Sequence, residues 1–362
     1  MQLSDFDFSL PSELIAQNPA SPRDQARLLV YDRASNTFEH STIAEIGNFL
    51  PKKSILVANN SRVRQGRLFG TSQNKPIEIL VLEKVEENLY RCLVKGRHPK
   101  TQDQLQFFEN KSLEKTISLS ATIETIEVDP GMNTYLLRFV SSEDCETIFA
   151  RFGTTPLPPY ITQSSTQSER YQTVFSKDVG SAAAPTAGLH FTPELIEKLV
   201  TSGINWEEVT LQVGIGTFLP LRNNEVIENR LHKETTYVSP ETASTLTTAL
   251  QTQTPITAIG TTSARTLEAH AQKDSISAGW LDTNLFIYPG YQFKVINQLL
   301  TNFHLPKSSL LVLVAALLGN DPTTREIVKS EAEMIETLQY IYQTAIQHEY
   351  RFYSFGDALL IL

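Results

Sequence analysis

Residues 178–200 read DVGSAAAPTAGLHFTPELIEKLV, and the fold is read outward from this stretch. Small residues from Gly180 to Ala184 let a backbone or ligand come close. Pro185-Thr186-Ala187-Gly188 then leads to His190. Thr192 suits a helix N-cap, Pro193 the first helical position, and Glu194 the positive end of the helix dipole. Leu195, Ile196, Leu199 and Val200 supply an apolar face, and Gly203 is placed to end the helix. His190 therefore sits on a tight loop before a helix N-terminus, where the dipole favours a neutral imidazole able to accept a proton.

Downstream, strands and helices alternate. Val209, Leu211, Val213 and Ile215 fall on one face of a strand. Ile256 to Gly260 predicts a strand leading into Thr261-Thr262-Ser263, with a helix from Ala264 to about Ala271. Leu285 to Tyr288 predicts another strand. His304-Leu305-Pro306-Lys307-Ser308 precedes a buried helix at Leu310, and Asp321-Pro322 is expected to cap a last amphipathic helix. This alternation predicts a layered α/β domain. His190, Thr261-Thr262-Ser263 and His304 are all expected in loops that end at a helix N-terminus. Such loops gather at the carboxyl edge of open α/β sheets, where ligands bind.

Upstream the texture differs. From about Arg62 to Val140, short apolar runs alternate with turn signals, including Asp129-Pro130-Gly131, and no helical period is present. That spacing predicts a small β-barrel inserted into the α/β domain. The expected division is 1–60 with 146–362 for the α/β domain and 61–145 for the barrel. Arg62, Arg64, Arg67, Lys95 and Arg97 lie in or at the start of this insertion. They read either as a solvated face or as a phosphate-binding surface.

Composition narrows the classes. The chain has 362 residues, 41% hydrophobic and 20% charged, with a formal net charge of −9. That is ordinary globular composition without an overall basic signature. Cys92 and Cys145 are too few for a disulfide framework or a cysteine metal site. No HExxH or Cys/His cluster is present, so no metal is expected. The N-terminus has acids where a signal peptide needs basic residues. Leu310 to Leu318 is too short to span a bilayer, so a cytosolic protein without a membrane segment is expected. Gly214-Ile215-Gly216-Thr217 offers a GxG after a strand, but Phe218-Leu219-Pro220 follows where a dinucleotide fingerprint needs a helix. Close approach of backbone to a ligand, or a bulge, are the remaining readings. Arg265, expected in the first turn of its helix, opposes the dipole and so wants a partner, either a ligand carboxylate or Glu268. His190, His232 and His304 are candidate acid–base groups, though a lone histidine is as readily a structural hydrogen-bonder.

Several segments together resemble the S-adenosylmethionine:tRNA ribosyltransferase-isomerase family of queuosine biosynthesis. They are SAAAPTAGLHFTPEL (181–195), VTLQVGIGTF (209–218), IGTTSARTLE (259–268) and LLTNFHLPKSSLLVLVAALLG (299–319), with DFDFSLPSELIAQNPASPRDQARLLVYDR (5–33) and YRFYSFGDALLIL (350–362) at the ends. The resemblance implies a cytosolic, monomeric enzyme with a large α/β domain and a small inserted barrel. It implies transfer of the ribosyl part of S-adenosylmethionine to the aminomethyl group of 7-aminomethyl-7-deazaguanine at the wobble position of tRNA. The ribosyl unit is isomerised, adenine and methionine leave, and epoxyqueuosine-tRNA results. S-adenosylmethionine is a consumed co-substrate and no other cofactor is implied.

That chemistry needs a base for a C5′ hydrogen acidified by the sulfonium, a proton for departing adenine, and a neutral amine. On this resemblance His190 is expected to be the C5′ base, with His304 or His232 serving adenine or the amine. Arg265, Thr261 and Thr262 are expected to hold the methionine carboxylate. Thr186, Gly188, Gly214, Gly216 and Thr217 are expected to contact substrate, and the barrel's basic residues to hold anticodon-stem phosphates. Two positions depart from the family pattern. Asn60 stands in Asn59-Asn60-Ser61-Arg62 where an aspartate is usual, and Gln212 stands where a histidine is usual; a neighbouring family histidine near Asn229 is also replaced. Amides there hydrogen-bond but do not titrate in this range. The alternatives are a tRNA-binding protein without catalysis and a plain methyltransferase.

Overall fold

The computed structural model describes residues 1–96, 99–109, 118–129, 132–162, 169–214 and 221–362. The strands in chain order are β1 (Arg27–Asp32), β2 (Thr37–Thr42), β3 (Ile55–Asn59), β4 (Ser61–Val63), β5 (Arg67–Ser72), β6 (Lys75–Glu86), β7 (Leu89–Gly96), β8 (Gln104–Phe108), β9 (Ser118–Asp129) and β10 (Met132–Val140). Then follow helix α1 (Cys145–Phe152), β11 (Asp178–Ser181), α2 (Pro193–Thr201), β12 (Asn205–Gln212), β13 (Glu234–Val238), α3 (Pro240–Gln251), β14 (Ile256–Ile259), α4 (Gly260–His270), β15 (Gly279–Thr283), β16 (Gln298–Asn302), α5 (Ser309–Leu318), α6 (Glu331–Gln347) and β17 (Ala358–Ile361).

Among the described residues nine strands form one mixed sheet in the order β15-β13-β12-β3-β14-β16-β17-β1-β2. Its centre, β12-β3-β14-β16, is parallel throughout. The strands are short and rich in Ile, Leu, Val and Ala, and successive side chains go to opposite faces. Leu29, Tyr31, Ile55 and Val57 pack with α3, α4, α5 and α6 on one side. Leu28, Val30, Leu56 and Ala58 pack with α2 and short 3-10 turns on the other. The result is a three-layer arrangement, one form of the layered α/β domain expected from the alternation.

Strands β5 to β10 close into a six-stranded antiparallel barrel, β10-β7-β6-β5-β8-β9. Helix α1 is capped by Asp144, whose side chain accepts from the Glu146 and Thr147 backbone N–H groups. Its Cys145, Ile148, Phe149 and Phe152 enter the barrel's apolar core. The strands of the closed barrel run from Arg67 to Val140, and α1 packs into its core. The first residues of the expected insertion, Ser61–Val63, pair with β11 instead. The turn expected at Asp129-Pro130-Gly131 lies largely outside the described residues.

Two expectations about helix starts and one about a strand are corrected. Thr261, Thr262 and Ser263 lie in the first turn of α4, which starts at Gly260, and not in a loop before it. Arg265 is thereby in the second turn, clear of the N-terminal charge. The last helix is capped by Ser330, whose side chain and Glu333 form a capping box, while Asp321 closes its own turn with Thr323 and Thr324. Leu285 to Tyr288 is irregular chain; the strand β15 lies just before it. The start of α2 is as expected, with Thr192 Oγ1 accepting from Leu195 N at 3.1 Å and Pro193 opening the helix.

Candidate active site

The four parallel strands end on one edge. Asn59-Asn60, Gln212-Val213-Gly214, Gly260-Thr261-Thr262 and Asn302-Phe303-His304 stand there side by side. The segment from Ser181 to His190 runs across that edge. At one end Ala182 N donates to Val213 O at 2.9 Å, and Ser181 Oγ accepts from Val213 N at 3.0 Å. At the other end, the Thr186 hydroxyl donates to Asn302 Oδ1 at 2.8 Å. Between them Ala187 packs on Gly260, where a Cβ would stand 3.4 Å from the Ala187 Cβ in a backbone of φ +86° that favours glycine.

His190 ends this strap as the last residue of a 3-10 turn, Thr186–His190, and is buried. Asn302 Nδ2 lies 3.1 Å from its Nε2. Burial lowers the imidazole to about 4, against a rise from Asp357 and further lowering from Arg351 and Arg23, so the ring is neutral near pH 7. Neutrality agrees with the sequence reading, but its cause is burial. The Asn302 amide covers Nε2, while among the described residues no group hydrogen-bonds Nδ1. His304 is also buried and lowered to about 3 by burial; Thr301 Oγ1 is 2.8 Å from its Nε2. His232 is half-buried just before β13, at the same edge.

Arg265 is buried and forms an ion pair with the equally buried Glu234 at the start of β13. The partner anticipated from spacing, Glu268, instead accepts from the backbone N–H groups of Lys294, Val295 and Ile296 and from the Tyr291 hydroxyl. Arg265 Nε donates to Leu285 O at 3.2 Å, whereas its Nη2 is buried with no hydrogen-bond partner. The Thr262 hydroxyl is likewise buried and unpartnered. Such groups are costly unless something fills the space. Glu234 also accepts from Gly214 N at 3.1 Å, tying the glycine segment to Arg265. Gly188 has a packing reason: a Cβ there would meet the Phe175 ring at 2.7 Å. Gly216 and Thr217 lie outside the described residues.

The departures at 60 and 212 sit beside this edge. Thr210 Oγ1 donates to Asn60 Oδ1 at 2.8 Å, and Asn60 Nδ2 donates to Glu208 Oε2 at 3.3 Å. Gln212 packs on Gly180, with a weak donation to Asp178 O at 3.4 Å and a buried, unpartnered Oε1. Asn229 is wholly engaged with its own turn: its amide donates to the Asn223 and Glu225 carbonyls and its oxygen accepts from Arg222 and Asn223 N–H.

The basic residues divide. Arg64 is buried, not displayed: it grips Glu146 with Nε and Nη2 and donates to the Leu82 and Gly180 carbonyls. Arg67 stands 3.2 Å from Glu78. Arg62, half-buried, donates to Ser176 Oγ at 3.0 Å. Lys95 is exposed, and Arg97 lies outside the described residues. Residues 61–145 hold 12 basic and 12 acidic side chains, a net charge of zero, so the −9 of the chain resides entirely elsewhere.

Among the described residues no three His, Cys, Asp or Glu side chains gather as a metal site, and no helix is long and apolar enough to cross a membrane. Glu234 and Asn302 were missed from sequence. Each is a single polar residue at a strand end, and only the strand register brings it to its partner.

Fold and site together define a mixed α/β protein with buried, unsatisfied polar groups at one strand edge and an inserted six-stranded barrel. The queuosine biosynthesis protein family model matches residues 3–361, so the chain belongs to that family. S-adenosylmethionine:tRNA ribosyltransferase-isomerase of Thermotoga petrophila is 43% identical over 364 residues, and that of Desulforamulus reducens 41% over 366, each covering 100% of both chains. The crystal structure of S-adenosylmethionine tRNA ribosyltransferase from Thermotoga maritima superposes with a TM-score of 0.53 at 34% identity, covering 99% of this chain and 100% of that one.

Proposed function

We propose that this chain transfers and isomerises the ribosyl part of S-adenosylmethionine onto the aminomethyl group of 7-aminomethyl-7-deazaguanine in tRNA. Adenine and methionine are released and epoxyqueuosine-tRNA is formed. The observation that carries the reading within the fold is the buried, unpartnered Arg265 Nη2, with the unpartnered Thr262 hydroxyl three residues earlier on the same helix, on the edge that also holds a neutral His190. An amino-acid carboxylate would satisfy both donors. In this reading Arg265, Thr261 and Thr262 take the methionine carboxylate. Gly214 lines the nucleoside, and Thr186 and His190 face the ribosyl unit. Half-buried His232 is the better placed proton carrier for adenine or the amine; His304, with Nε2 on Thr301, holds the strand corner. Arg62 and Lys95 are the groups for tRNA phosphates, Arg64 and Arg67 being paired within the protein. S-adenosylmethionine is consumed, no further cofactor takes part, and the enzyme acts as a cytoplasmic monomer.

The test is one incubation of protein, S-adenosylmethionine and tRNA carrying the aminomethyl base, read by mass spectrometry. Free adenine with methionine is expected. S-adenosylhomocysteine with methylated RNA would mean a methyltransferase; tRNA binding with no turnover would mean a binding protein. His190→Ala should abolish adenine release while tRNA affinity stays nearly unchanged.

A further inference from the structure

We infer that Asn302 is a positioning residue that holds His190 as the Nδ1–H tautomer, so that the ring offers the substrate a hydrogen-bond donor and not a proton acceptor. The inference rests on the reading of His190 as part of the transferase site, and it replaces the role of base with that of donor.

A chain of two hydrogen bonds carries it. The Thr186 hydroxyl donates to Asn302 Oδ1 at 2.8 Å, and Asn302 Nδ2 faces His190 Nε2 at 3.1 Å. An amide nitrogen has hydrogens and no available lone pair, so it must donate. Nε2 must then be the unprotonated nitrogen, and a neutral ring keeps its hydrogen on Nδ1. Among the described residues no protein group hydrogen-bonds Nδ1. All three side chains sit where the strap crosses the end of β16, and Asn302 and His190 are buried. The charged groups that act on the ring are Asp357 and Arg351 of the C-terminal segment, joined to each other at 3.0 Å, and Arg23, which donates to the Leu189 carbonyl at 3.2 Å. None of their side chains hydrogen-bonds the imidazole. A neutral imidazole donor suits an oxygen or nitrogen on which negative charge develops, as when the ribosyl ring reorganises or adenine departs.

Two measurements test this. Long-range proton–nitrogen NMR on protein labelled at histidine nitrogen should show His190 Nε2 bare and Nδ1 protonated at pH 7. The opposite pattern means that the Asn302 carbonyl accepts from Nε2–H. It would overturn the inference and return the ring to service as a base, with the transferase reading untouched. The second measurement is Asn302→Asp. The introduced carboxylate can only accept at neutral pH, so it draws the proton to Nε2 and strips Nδ1. Adenine release should fall by at least about 100-fold in kcat, with KM for S-adenosylmethionine changed by no more than about threefold. Activity should then recover as pH falls, because the imidazolium regains a hydrogen on Nδ1. A base role predicts the reverse, retained activity that falls with acid. Asn302→Ala leaves the neutral ring free to take either tautomer, so it should lose less activity than Asn302→Asp; a loss as large as that of Asn302→Asp would overturn the assignment. Were the wild-type protein to lack turnover altogether, the transferase reading would fail while the NMR result still decided the tautomer.

Discussion

The barrel and the strand edge treat arginine differently. In the barrel, guanidinium groups end on carboxylates: Arg91 on Glu83 and Glu127, Arg138 on Glu86 and Glu124, Arg67 on Glu78. At the entrance to the barrel Arg64 is tied to Glu146 and two carbonyls. At the strand edge, Arg265 gives one nitrogen to Glu234 and keeps another buried and unpartnered. The difference teaches that clustering of basic residues along the chain is a weak guide to ligand binding. An antiparallel barrel places cross-strand neighbours within reach, and opposite charges there neutralise each other. A buried donor left open at a strand edge is the more informative sign.

The largest expected effect tests the structural half of that contrast. Arg64→Ala removes a buried guanidinium with partners on three segments, and should cost about 3 kcal/mol of stability. Thermal unfolding is the measurement. The salt dependence of tRNA binding should not change, since no phosphate contact is lost. A stable variant with weakened, less salt-sensitive binding would place Arg64 on the RNA and break the comparison.

Arg265→Lys tests the other half. Lysine preserves a charge for Glu234 but has no second planar nitrogen to offer. KM for S-adenosylmethionine should rise by roughly 100-fold, about 2.7 kcal/mol. Affinity for tRNA should be unaffected. An unchanged KM would show that the orphaned nitrogen meets no substrate carboxylate.

Acid should weaken the edge next. Burial holds His190 at about 4 in the folded chain, against about 6.5 unfolded. Above pH 6.5 both states are neutral and the ring adds no pH dependence. As pH falls through 6.5 the unfolded chain binds the proton first, so stability declines until the folded ring titrates as well. Between pH 6.5 and 5 that is about 2 kcal/mol for this residue. His304, held at about 3, pulls the same way. Replacing His190 with Gln should flatten the decline in denaturant midpoint over this interval; an equally steep decline would mean that other groups cause it.

How much of this was legible in the sequence follows from the reach of each signal. Apolar alternation and turn spacing are local, and they yielded the α/β layers, the barrel and the strap with its helix cap at Thr192. Start positions slipped where two signals competed. Gly260 was read as the end of a strand, yet a positive-φ glycine also serves as the first helical residue, and so Thr261 to Ser263 entered the helix. The ion pair of Arg265 eluded spacing because Glu268 is three residues away on the same helix while Glu234 is 31 residues away on a strand. Asn302 carries no motif of its own. Its importance comes from a contact with His190 across 112 residues, which strand order alone supplies.

Lys95 carries the smallest effect and the finest distinction. It lies near the end of β7, exposed, across from Glu78, and Glu78 already faces Arg67. Its ammonium is therefore the kind of group that exchanges counterions for phosphate, whereas the paired arginines gain nothing by doing so. Lys95→Ala should leave thermal stability within about 0.5 kcal/mol. It should lower the slope of log affinity for tRNA against log salt by just under about 1, with only a few-fold weakening at physiological salt. Measured side by side with Arg64→Ala, the two variants should show opposite signatures, slope without stability and stability without slope. If both move together, binding and folding of the barrel draw on the same charges, and the division between the two regions does not hold.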